Sequence, residues 1–335
     1  MTRKVAVVSH PACSLHDTGW YHPEHQGRLR AVMSAIDKAL PVLAPHVDAV
    51  PGDPVARETL ALAHTEAHID RVHKAVEEAQ RTEELVSLEA DTVVSGASWD
   101  AALAAAGSAV RAVDEVLAGT YASAFCPVRP PGHHVTTDRA MGFCLFNNVA
   151  VAARHAIEDA GVDRVLIVDW DVHHGNGTQD IFYEDAFVFF LSMHQSPFYP
   201  GTGAADERGA GAGEGTTLNL PLPPGLPAGK YVDTLVEGIE RAASFEPELV
   251  LISAGFDAAI DDTLGGFTLE PEHFRTLTRE VVSRTSRSAG GRIVSLLEGG
   301  YNPSELGRNV TAHLTELVEL ATGDQLTAAT LENQE

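Results

Sequence analysis

Short, continuous apolar runs recur along this chain, and segments with helical periodicity separate them. The runs are rich in Val, Ile, Leu and Phe, which is typical of strands buried on both faces of a parallel sheet. The strongest runs are Val5–Ser9, Ser123–Pro127, Arg164–Asp169, Phe187–Ser192, Glu248–Ser253 and Arg292–Leu297. The amphipathic segments are Trp99–Ala118, Asn147–Ala160, Lys230–Phe245, Pro271–Ser288 and Pro303–Ala321. This alternation predicts an α/β fold in which helices cover both faces of a parallel sheet.

Size and composition agree with a soluble globular protein. The chain has 335 residues, of which 44% are hydrophobic and 21% are charged, and this length can bury a sizeable core. No apolar run approaches the ~20 residues that a membrane helix requires. The apolar run Val5–Val8 is too short for a signal-peptide core, so it is interpreted as a first strand. We therefore expect a cytoplasmic protein without a membrane segment.

The charge balance narrows the class of partners. With 23 Lys and Arg residues against 47 Asp and Glu residues, the formal net charge is −24. Such a surface repels phosphate backbones, so we expect no nucleic-acid partner. Acidic groups can attract cationic substrates such as lysine-rich peptides or polyamines, although solubility is the simpler explanation for most of these carboxylates.

The cysteine pattern excludes two common structural devices. Cys13, Cys126 and Cys144 are odd in number and widely spaced, so they match neither a CxxC zinc motif nor a disulfide framework. We expect buried free thiols, because cysteine is among the residue types most often buried.

A Gly/Pro-rich stretch, Pro200–Gly229, interrupts the alternation of strands and helices. It is too long for a simple connection, so it is interpreted as a functional loop or a flexible insert. It could also contribute to the interface of a homo-oligomer. The segment 323–335 is polar and is expected to fray as a tail.

The residues that follow the strands concentrate the chemistry. In open parallel sheets, functional sites form beyond the carboxyl ends of the strands. Four predicted strands are followed by histidine, aspartate or tyrosine residues, in the segments Arg129–His134, Asp169–Gly177, Ala254–Asp257 and Glu298–Tyr301. One such segment is weak evidence, but core packing does not explain four. The sequence therefore predicts a site at this edge of the sheet.

Asp171, His173 and Asp257 are candidate ligands for a metal ion. Residues i and i+2 of an extended backbone point the same way, so Asp171 and His173 can bind one ion, and Asp257 can add a third ligand. An Asp–His–Asp set with open positions suits a catalytic divalent ion such as zinc or iron(II). Taken singly, each residue also has a structural explanation that involves no metal. An aspartate after a strand is often a helix cap, and a single histidine is usually a hydrogen-bonded polar residue.

Several motifs occur in a fixed order between His22-Pro23-Glu24 and Tyr301. They are RPPGHH, GFCLFNN, VDWDVHHGNG, PGTG, SAGFDA and EGGY. With these motifs the chain resembles the superfamily of histone deacetylases and acetylpolyamine amidohydrolases, and HHGNG resembles its class II branch. The resemblance implies a single arginase/deacetylase-like α/β domain, residues 1–322, with a central eight-stranded parallel sheet flanked by helices. It also implies a hydrolase of linear amide bonds with one catalytic zinc ion at the base of a narrow tunnel.

The resemblance assigns the metal and the acid–base groups to strand-end residues. It implies that Asp171, His173 and Asp257 bind the zinc ion. It further implies that His133 and His134 are the family's tandem general acid–base histidines. The chemistry fits, because an amide needs a base for the attacking water and an acid for the departing amine.

The partners of the two histidines differ. By the resemblance, Asp169 hydrogen-bonds His133 and Asn176 hydrogen-bonds His134, where many family members have an aspartate instead of the asparagine. A charged Asp169 favours an imidazolium at His133, whereas a neutral Asn176 leaves His134 closer to titrating near neutral pH. We therefore expect His134 to be the working base and acid. The resemblance implies that Tyr301 polarises the substrate carbonyl, and its hydroxyl can donate a hydrogen bond to the developing oxyanion.

The resemblance also implies residues around the tunnel. Gly142 and Phe143 would form one wall and Tyr199 the other, where a phenylalanine is more usual, so the Tyr199 hydroxyl is expected to alter the polarity of the tunnel. Asp91 would be a rim carboxylate that grips the substrate backbone. The family also binds structural potassium, and the ligands implied here are the backbone carbonyls of Asp169, Asp171 and His173 with the hydroxyl of Ser192.

The expected substrate is a long chain that carries an acyl amide at its tip. Both an acyl-lysine and an acetylpolyamine fit a narrow apolar tunnel. Polyamine-preferring members of the family can carry a glutamate gate shortly after the third metal ligand, and Leu264 occupies that position here. This favours an acyl-lysine or another small amide, although Asp261 and Asp262 leave a cation-binding rim open.

Two other functions stand beside this one. Ureohydrolases share the fold but use two metal ions, and their second metal site needs an aspartate where this chain has Ala259. A catalytically silent acyl-binding protein typically lacks the tyrosine or a metal ligand, and this chain has all of these residues. The family name does not decide whether the substrate is a histone.

Overall fold

The computed structural model describes residues 4–326. Its strands are β1 (Val5–Ser9), β2 (Val47–Pro51), β3 (Val86–Glu89), β4 (Thr92–Val94), β5 (Ser123–Cys126), β6 (Val165–Asp169), β7 (Val188–Gln195), β8 (Thr217–Leu222), β9 (Leu249–Ala254) and β10 (Ile293–Leu297). Its α-helices are α1 (Gly27–Leu43), α2 (Arg57–Leu60), α3 (Glu66–Thr82), α4 (Ser98–Leu117), α5 (Asn148–Glu158), α6 (Asn176–Phe182), α7 (Ala228–Ala243), α8 (Pro271–Ala289) and α9 (Pro303–Thr322).

One parallel sheet organises the fold. Its strand order is β2-β1-β5-β10-β9-β6-β7-β8, and every neighbouring pair is parallel. The prediction of an eight-stranded parallel sheet flanked by helices is therefore confirmed, and all the strands predicted from apolar runs belong to it. β3 and β4 form a separate antiparallel hairpin.

Side chains alternate between the two faces of the sheet, as the geometry of a strand requires. In β6, Val165 and Ile167 pack on one face, while Leu166 and Val168 pack on the other. The first face is covered mainly by α4 and α5, and the second by α1, α7, α8 and α9. Each such aliphatic side chain contributes about 1.5–3 kcal/mol when fully buried. Burial on both faces leaves few polar positions in a strand, which explains the continuous apolar runs.

The Gly/Pro-rich stretch Pro200–Gly229 is only partly a loop. It contains the edge strand β8, which pairs with β7 alone, and α7 begins inside it at Ala228. The interpretation as a loop or flexible insert is therefore wrong for Thr217–Leu222. The apolar signal there is weak because Asn219 and Pro221 interrupt it, and an edge strand tolerates a proline.

The last helix ends close to the position predicted from the sequence. Gly323 follows Thr322 in the left-handed conformation, with φ of 77°, and its N–H donates to the carbonyl oxygen of Glu319, a common helix C-cap. The predicted polar tail, 323–335, is described only as far as residue 326, and 327–335 lie outside the described residues.

Two expectations from the sequence concern the cysteines and a membrane segment. Cys13, Cys126 and Cys144 are buried free thiols, as expected. Across residues 4–326, no helix combines the length and the apolar character needed to cross a membrane.

Candidate metal centre and active site

The carboxyl ends of four neighbouring strands bring the predicted site residues together. β5, β10, β9 and β6 are adjacent in the sheet, and the segments after them carry His133, Tyr301, Asp257 and Asp171, respectively. All four side chains are buried. Because parallel strands end on the same side of a sheet, residues distant in sequence meet at this one edge.

Asp171, His173 and Asp257 form a compact buried cluster. One side-chain donor atom from each lies within 4.8 Å of the others. Nδ1 of His173 is 3.0 Å from Oδ1 of Asp171 and 3.2 Å from Oδ2 of Asp257. Among the described residues, no donor hydrogen-bonds the buried Oδ2 of Asp257 with good geometry. A buried carboxylate oxygen without a donor is costly, and a metal-ligand role accounts for it.

The electrostatics of this cluster favour a cation. Burial alone would lower the pKa of His173, but its contacts with Asp171 and Asp257 outweigh burial and raise that pKa to about 9. Burial, together with the charge on Asp171, raises the pKa of Asp257 to about 7. Without a metal ion, bound protons would therefore balance the negative charge where the two carboxylates meet the imidazole. A divalent cation compensates the same charge, so the donor set fits zinc or iron(II).

Backbone amides orient the two carboxylates at short range. The N–H of Gly299 donates to Oδ2 of Asp171 at 2.8 Å, and the N–H of Val172 donates to Oδ1 of Asp257 at 2.8 Å. A Cβ atom at position 299 would overlap both carboxylates, so only glycine allows this approach. Such donors hold potential ligands in one orientation, as a metal site requires.

His133 and His134 lie side by side, with ring centroids 4.1 Å apart. Nδ1 of His133 is 2.8 Å from Oδ2 of Asp169, and Nδ1 of His134 is 2.8 Å from Oδ1 of Asn176. The amide of Asn176 is oriented by its Nδ2, which donates to the carbonyl oxygen of His134 at 3.3 Å. Because an amide oxygen only accepts, Nδ1 of His134 carries the proton. A neutral His134 therefore presents an unprotonated Nε2.

The two histidines differ in charge. Burial lowers the pKa of His133, but the carboxylates of Asp169 and Asp171 outweigh it and raise that pKa well above its usual value. Burial lowers the pKa of His134 as well, and the neighbouring His133 and His173 lower it further. The directions agree with an imidazolium at His133. The pKa of His134 is therefore lower than we expected from its neutral partner Asn176 alone, so the ring does not titrate near neutral pH.

Tyr301 is held from two sides. Oδ2 of Asp262 accepts hydrogen bonds from the backbone N–H of Tyr301 at 2.7 Å and of Asn302 at 3.2 Å. The guanidinium of Arg28 lies over the Tyr301 ring, 4.8 Å from its centroid. Burial raises the pKa of the Tyr301 hydroxyl well above its usual value, so the hydroxyl stays protonated and able to donate.

Two aromatic side chains contact the residues of this site. The ring of Tyr199 meets His134 edge-on, with centroids 5.2 Å apart, and the ring of Phe143 meets Tyr301 in the same way at 5.8 Å. A Cβ atom at Gly142 would overlap the His134 ring. This glycine therefore allows the backbone that carries Phe143 to pass directly against the histidine.

Asp91 lies on the turn between β3 and β4 and contacts Tyr199. Its Oδ2 accepts a hydrogen bond from the Tyr199 hydroxyl at 2.8 Å. Its Oδ1 accepts from the Thr92 hydroxyl at 2.9 Å and from the N–H of Gly142 at 3.2 Å. The structure thus links Asp91 to the segments that carry Tyr199 and Phe143, and its role toward a substrate stays a prediction.

The sequence left open that Asp262 contributes to a cation-binding rim. In the structure, backbone N–H groups occupy both of its carboxylate oxygens. Its Oδ1 accepts from the N–H of Leu264 at 2.9 Å, and its Oδ2 accepts from Tyr301 and Asn302. The carboxylate therefore ties the half-buried Leu264 segment to the Tyr301 segment. Asp261, by contrast, is exposed.

The residues of the predicted potassium site also lie close together. Asp169 and Ser192 are register partners on β6 and β7, and Asp171 and His173 follow directly after β6. The hydroxyl of Ser192 is 2.9 Å from Nδ1 of His194. The assignment of these residues to potassium stays a prediction.

Sequence reasoning did not identify Glu298 or Arg28 as site residues. Oε2 of the buried Glu298 accepts hydrogen bonds from the N–H of Gly132 at 2.7 Å and of His133 at 3.2 Å. Arg28 donates to the carbonyl oxygens of Glu298 and Gly300 at 2.5 and 2.6 Å. Glu298 has a usable signal, because it directly follows a predicted strand. Arg28 is in α1, 270 positions from Glu298, and has no local signal.

The sequence matches the histone deacetylase domain over residues 22–317. Histone deacetylase 10, chloroplastic, from Oryza sativa subsp. japonica is 40% identical over 304 residues, which cover 86% of this chain and 68% of that protein. The histone deacetylase-like amidohydrolase of Pseudomonas aeruginosa is 37% identical over 300 residues, which cover 88% of this chain and 75% of that protein.

A solved structure supports the same relationship. The crystal structure of the HDA15 HD domain matches with a TM-score of 0.87 at 35% sequence identity, covering 97% of this chain and 90% of that chain. This likeness confirms the deacetylase-like α/β architecture. The domain match and the amidohydrolase relative confirm the expectation of a hydrolase that acts on amide bonds. The chain therefore belongs to the histone deacetylase family.

Proposed function

We propose that this protein is a zinc-dependent deacetylase that hydrolyses the acyl amide of a lysine side chain or a related amine. The observation that carries the proposal is the buried cluster of Asp171, His173 and Asp257 beside a neutral His134. Tyr301 adds a protonated hydroxyl at the same edge of the sheet. A cation site, a base with a free nitrogen and a hydrogen-bond donor are what hydrolysis of an unreactive amide requires.

Asp171, His173 and Asp257 would hold the ion. A bound zinc ion supplies a Lewis acid that polarises the amide carbonyl and lowers the pKa of a water molecule. The backbone donors to both carboxylates keep these ligands in place between turnovers. A structural potassium ion near Asp169 and Ser192 is proposed as well, on the family resemblance.

His134 is the group that moves the proton. Its Nδ1 donates to Asn176, so its Nε2 can accept a proton from the attacking water and return it to the departing amine. His133, kept charged by Asp169, lowers the pKa of His134 and so preserves its basic nitrogen in the neutral form. Two adjacent histidines in different environments thereby take different roles.

Tyr301 donates a hydrogen bond to the substrate oxygen as negative charge develops on it. Its hydroxyl retains the proton because burial raises its pKa. Asp262 and Arg28 hold its backbone and its ring, respectively. A donor fixed in advance needs no reorganisation during the reaction, which is why such groups contribute strongly.

The substrate is proposed to be an acyl-lysine rather than an acetylpolyamine. Leu264 stands where polyamine-preferring relatives can carry a glutamate. The adjacent Asp262 carboxylate is committed to backbone donors, so this segment offers only the exposed Asp261 to a second ammonium group. An apolar residue at this position suits the uncharged backbone of a peptide-borne lysine better.

The first test is a paired activity assay on zinc-loaded protein. One arm uses a fluorogenic acetyl-lysine peptide and the other N-acetylputrescine, each with and without a hydroxamate inhibitor. We expect hydroxamate-sensitive turnover with preference for the peptide. Preference for the polyamine would assign the chain to the acetylpolyamine amidohydrolases. Hydroxamate binding without turnover in either arm would support an acyl-binding role. A separate count of the metal ions bound to the purified protein tests the ureohydrolase alternative: about one zinc ion per chain favours a deacetylase, and about two manganese ions favour a ureohydrolase.

Substitution of Tyr301 by Phe tests the proposed role of its hydroxyl. Tyr301→Phe is expected to lower kcat by about 100- to 1,000-fold, as the loss of one oxyanion donor does, while the zinc content measured by mass spectrometry is retained. Asp257→Ala is the companion variant and is expected to lose zinc. Undiminished turnover in the first variant, or full zinc occupancy in the second, would refute the corresponding role.

A further inference from the structure

Tyr199 spans the site from the acid–base histidine to the rim. Its ring lies edge-on to His134 at 5.2 Å and to His173 at 6.1 Å, measured between ring centroids. Its hydroxyl donates to Oδ2 of Asp91 at 2.8 Å. This one side chain therefore joins the loop after β7 to the β3–β4 hairpin, two segments 108 positions apart in sequence.

The two carboxylate oxygens of Asp91 are occupied differently. Oδ1 accepts two hydrogen bonds, from the Thr92 hydroxyl and from the N–H of Gly142, which uses both of its lone pairs. Oδ2 accepts from the Tyr199 hydroxyl alone and keeps one lone pair for another donor. Because Asp91 is only half-buried, a donor on a bound substrate can reach that oxygen.

The Tyr199 hydroxyl holds this oxygen in place before a substrate arrives. A phenol that donates to a carboxylate makes a charge-assisted hydrogen bond, which is stronger than a neutral one. Without it, Oδ2 of Asp91 would turn toward water, and substrate binding would have to order it again. A phenylalanine at position 199 can keep the ring contact with His134, but it cannot donate the hydrogen bond to Asp91.

We propose that the Tyr199 hydroxyl is a specificity-determining group that orients Asp91 to accept a backbone N–H from a peptide-borne acyl-lysine. The inference rests on the proposed deacetylase function and adds a preference for peptides over free acylated amines. A peptide carries N–H donors where the lysine chain leaves the tunnel, whereas an acylated alkylamine has none there. Tyr199 thus acts on substrate recognition through Asp91, as a positioning residue.

The test compares kcat/KM for an acetyl-lysine peptide with kcat/KM for N-pentylacetamide, which has the same amide and alkyl chain but no backbone. In Tyr199→Phe, the ratio of peptide to N-pentylacetamide is expected to fall about tenfold, the size of one charge-assisted hydrogen bond. The loss for the peptide is expected in KM more than in kcat. The double variant Asp91→Ala/Tyr199→Phe is expected to show the same ratio as Asp91→Ala alone.

Tyr121→Phe is the matched control. The hydroxyl of Tyr121 also faces an aspartate, 3.5 Å from Oδ2 of Asp48, but near the amino ends of β5 and β2, on the opposite edge of the sheet. This variant is expected to keep the wild-type ratio. A wild-type ratio in Tyr199→Phe, or additive losses in the double variant, would overturn the inference while the proposed function stands. If wild-type protein cleaves neither substrate, the proposed function fails and takes the inference with it.

Discussion

The segment that carries Tyr301 owes its conformation to distant side chains. Gly299 and Gly300 precede the tyrosine, and glycines give a backbone little preference of its own. Asp262 supplies the missing constraint by accepting the N–H of Tyr301 and of Asn302. The position of the Tyr301 hydroxyl therefore depends on a carboxylate that contacts the backbone of this segment and not the hydroxyl itself.

At the scale of one residue, we predict that Asp262→Asn impairs turnover. The amide keeps one acceptor but turns N–H groups toward a backbone donor, so kcat is expected to fall by about tenfold or more, with a smaller change in KM. The same substitution in a Tyr301→Phe background is expected to add little further loss, since both changes act on one group. A full additive loss, measured by steady-state kinetics, would show that Asp262 acts independently of Tyr301.

At the scale of elements, a buried carboxylate joins α8 to α9. Glu316 of α9 accepts two parallel hydrogen bonds from Arg279 of α8, at 2.7 and 2.8 Å, and lies 3.0 Å from Arg275. The two arginines are four residues apart and so lie on the same face of α8. Because α9 begins at Pro303, directly after the Tyr301 segment, its packing on α8 also anchors the site.

We predict that Glu316→Ala lowers the free energy of unfolding by about 1–2 kcal/mol, a value reduced because Arg279 is half-exposed. Glu240→Ala is the control, because Glu240 makes an analogous link between α7 and α8, to Arg284 at 2.8 Å, but is 60% exposed. That change is expected to cost less than about 0.5 kcal/mol. If urea unfolding showed equal losses of unfolding free energy in Glu316→Ala and Glu240→Ala, burial would not be the reason for the stabilisation by Glu316.

At the scale of the whole molecule, neutral histidines in the core couple folding to pH. His313 of α9 is fully buried; its Nδ1 lies 2.6 Å from the Thr278 hydroxyl on α8, and its Nε2 lies 2.8 Å from the Ser295 hydroxyl on β10. Burial lowers its pKa to about 3, and burial lowers the pKa of His64 to about 3 as well. In the unfolded chain, a histidine has a pKa of about 6.5.

The sign of the pH dependence follows. Between about pH 6.5 and pH 3 the unfolded state binds a proton that the folded state excludes, so stability falls as the pH falls, by up to about 1.4 kcal/mol per pH unit for each such histidine. His313→Gln is expected to flatten this slope by that amount in urea unfolding series. An unaltered slope in the His313 variant would contradict a neutral ring in the core.

Local patterns in the sequence predicted six of the eight strands of the sheet and the groups at its carboxyl edge. Strands buried on both faces leave continuous apolar runs, and polar residues directly after such runs identified Asp171, His173, Asp257 and Tyr301 as candidates. Both signals are local in the chain, so no knowledge of packing is needed to detect them. The ordered motifs around these residues then indicated the family.

How distant segments meet follows from tertiary packing and has no local signal in the sequence. The edge strand β8 has a broken apolar pattern because it pairs on one side alone, and its role could not be detected from composition. The bond between Tyr199 and Asp91, and the task of Asp262 at the Tyr301 segment, join residues far apart in sequence. Arg28 is 270 positions from Glu298. Such pairings depend on how whole layers pack, which no local pattern of residues specifies.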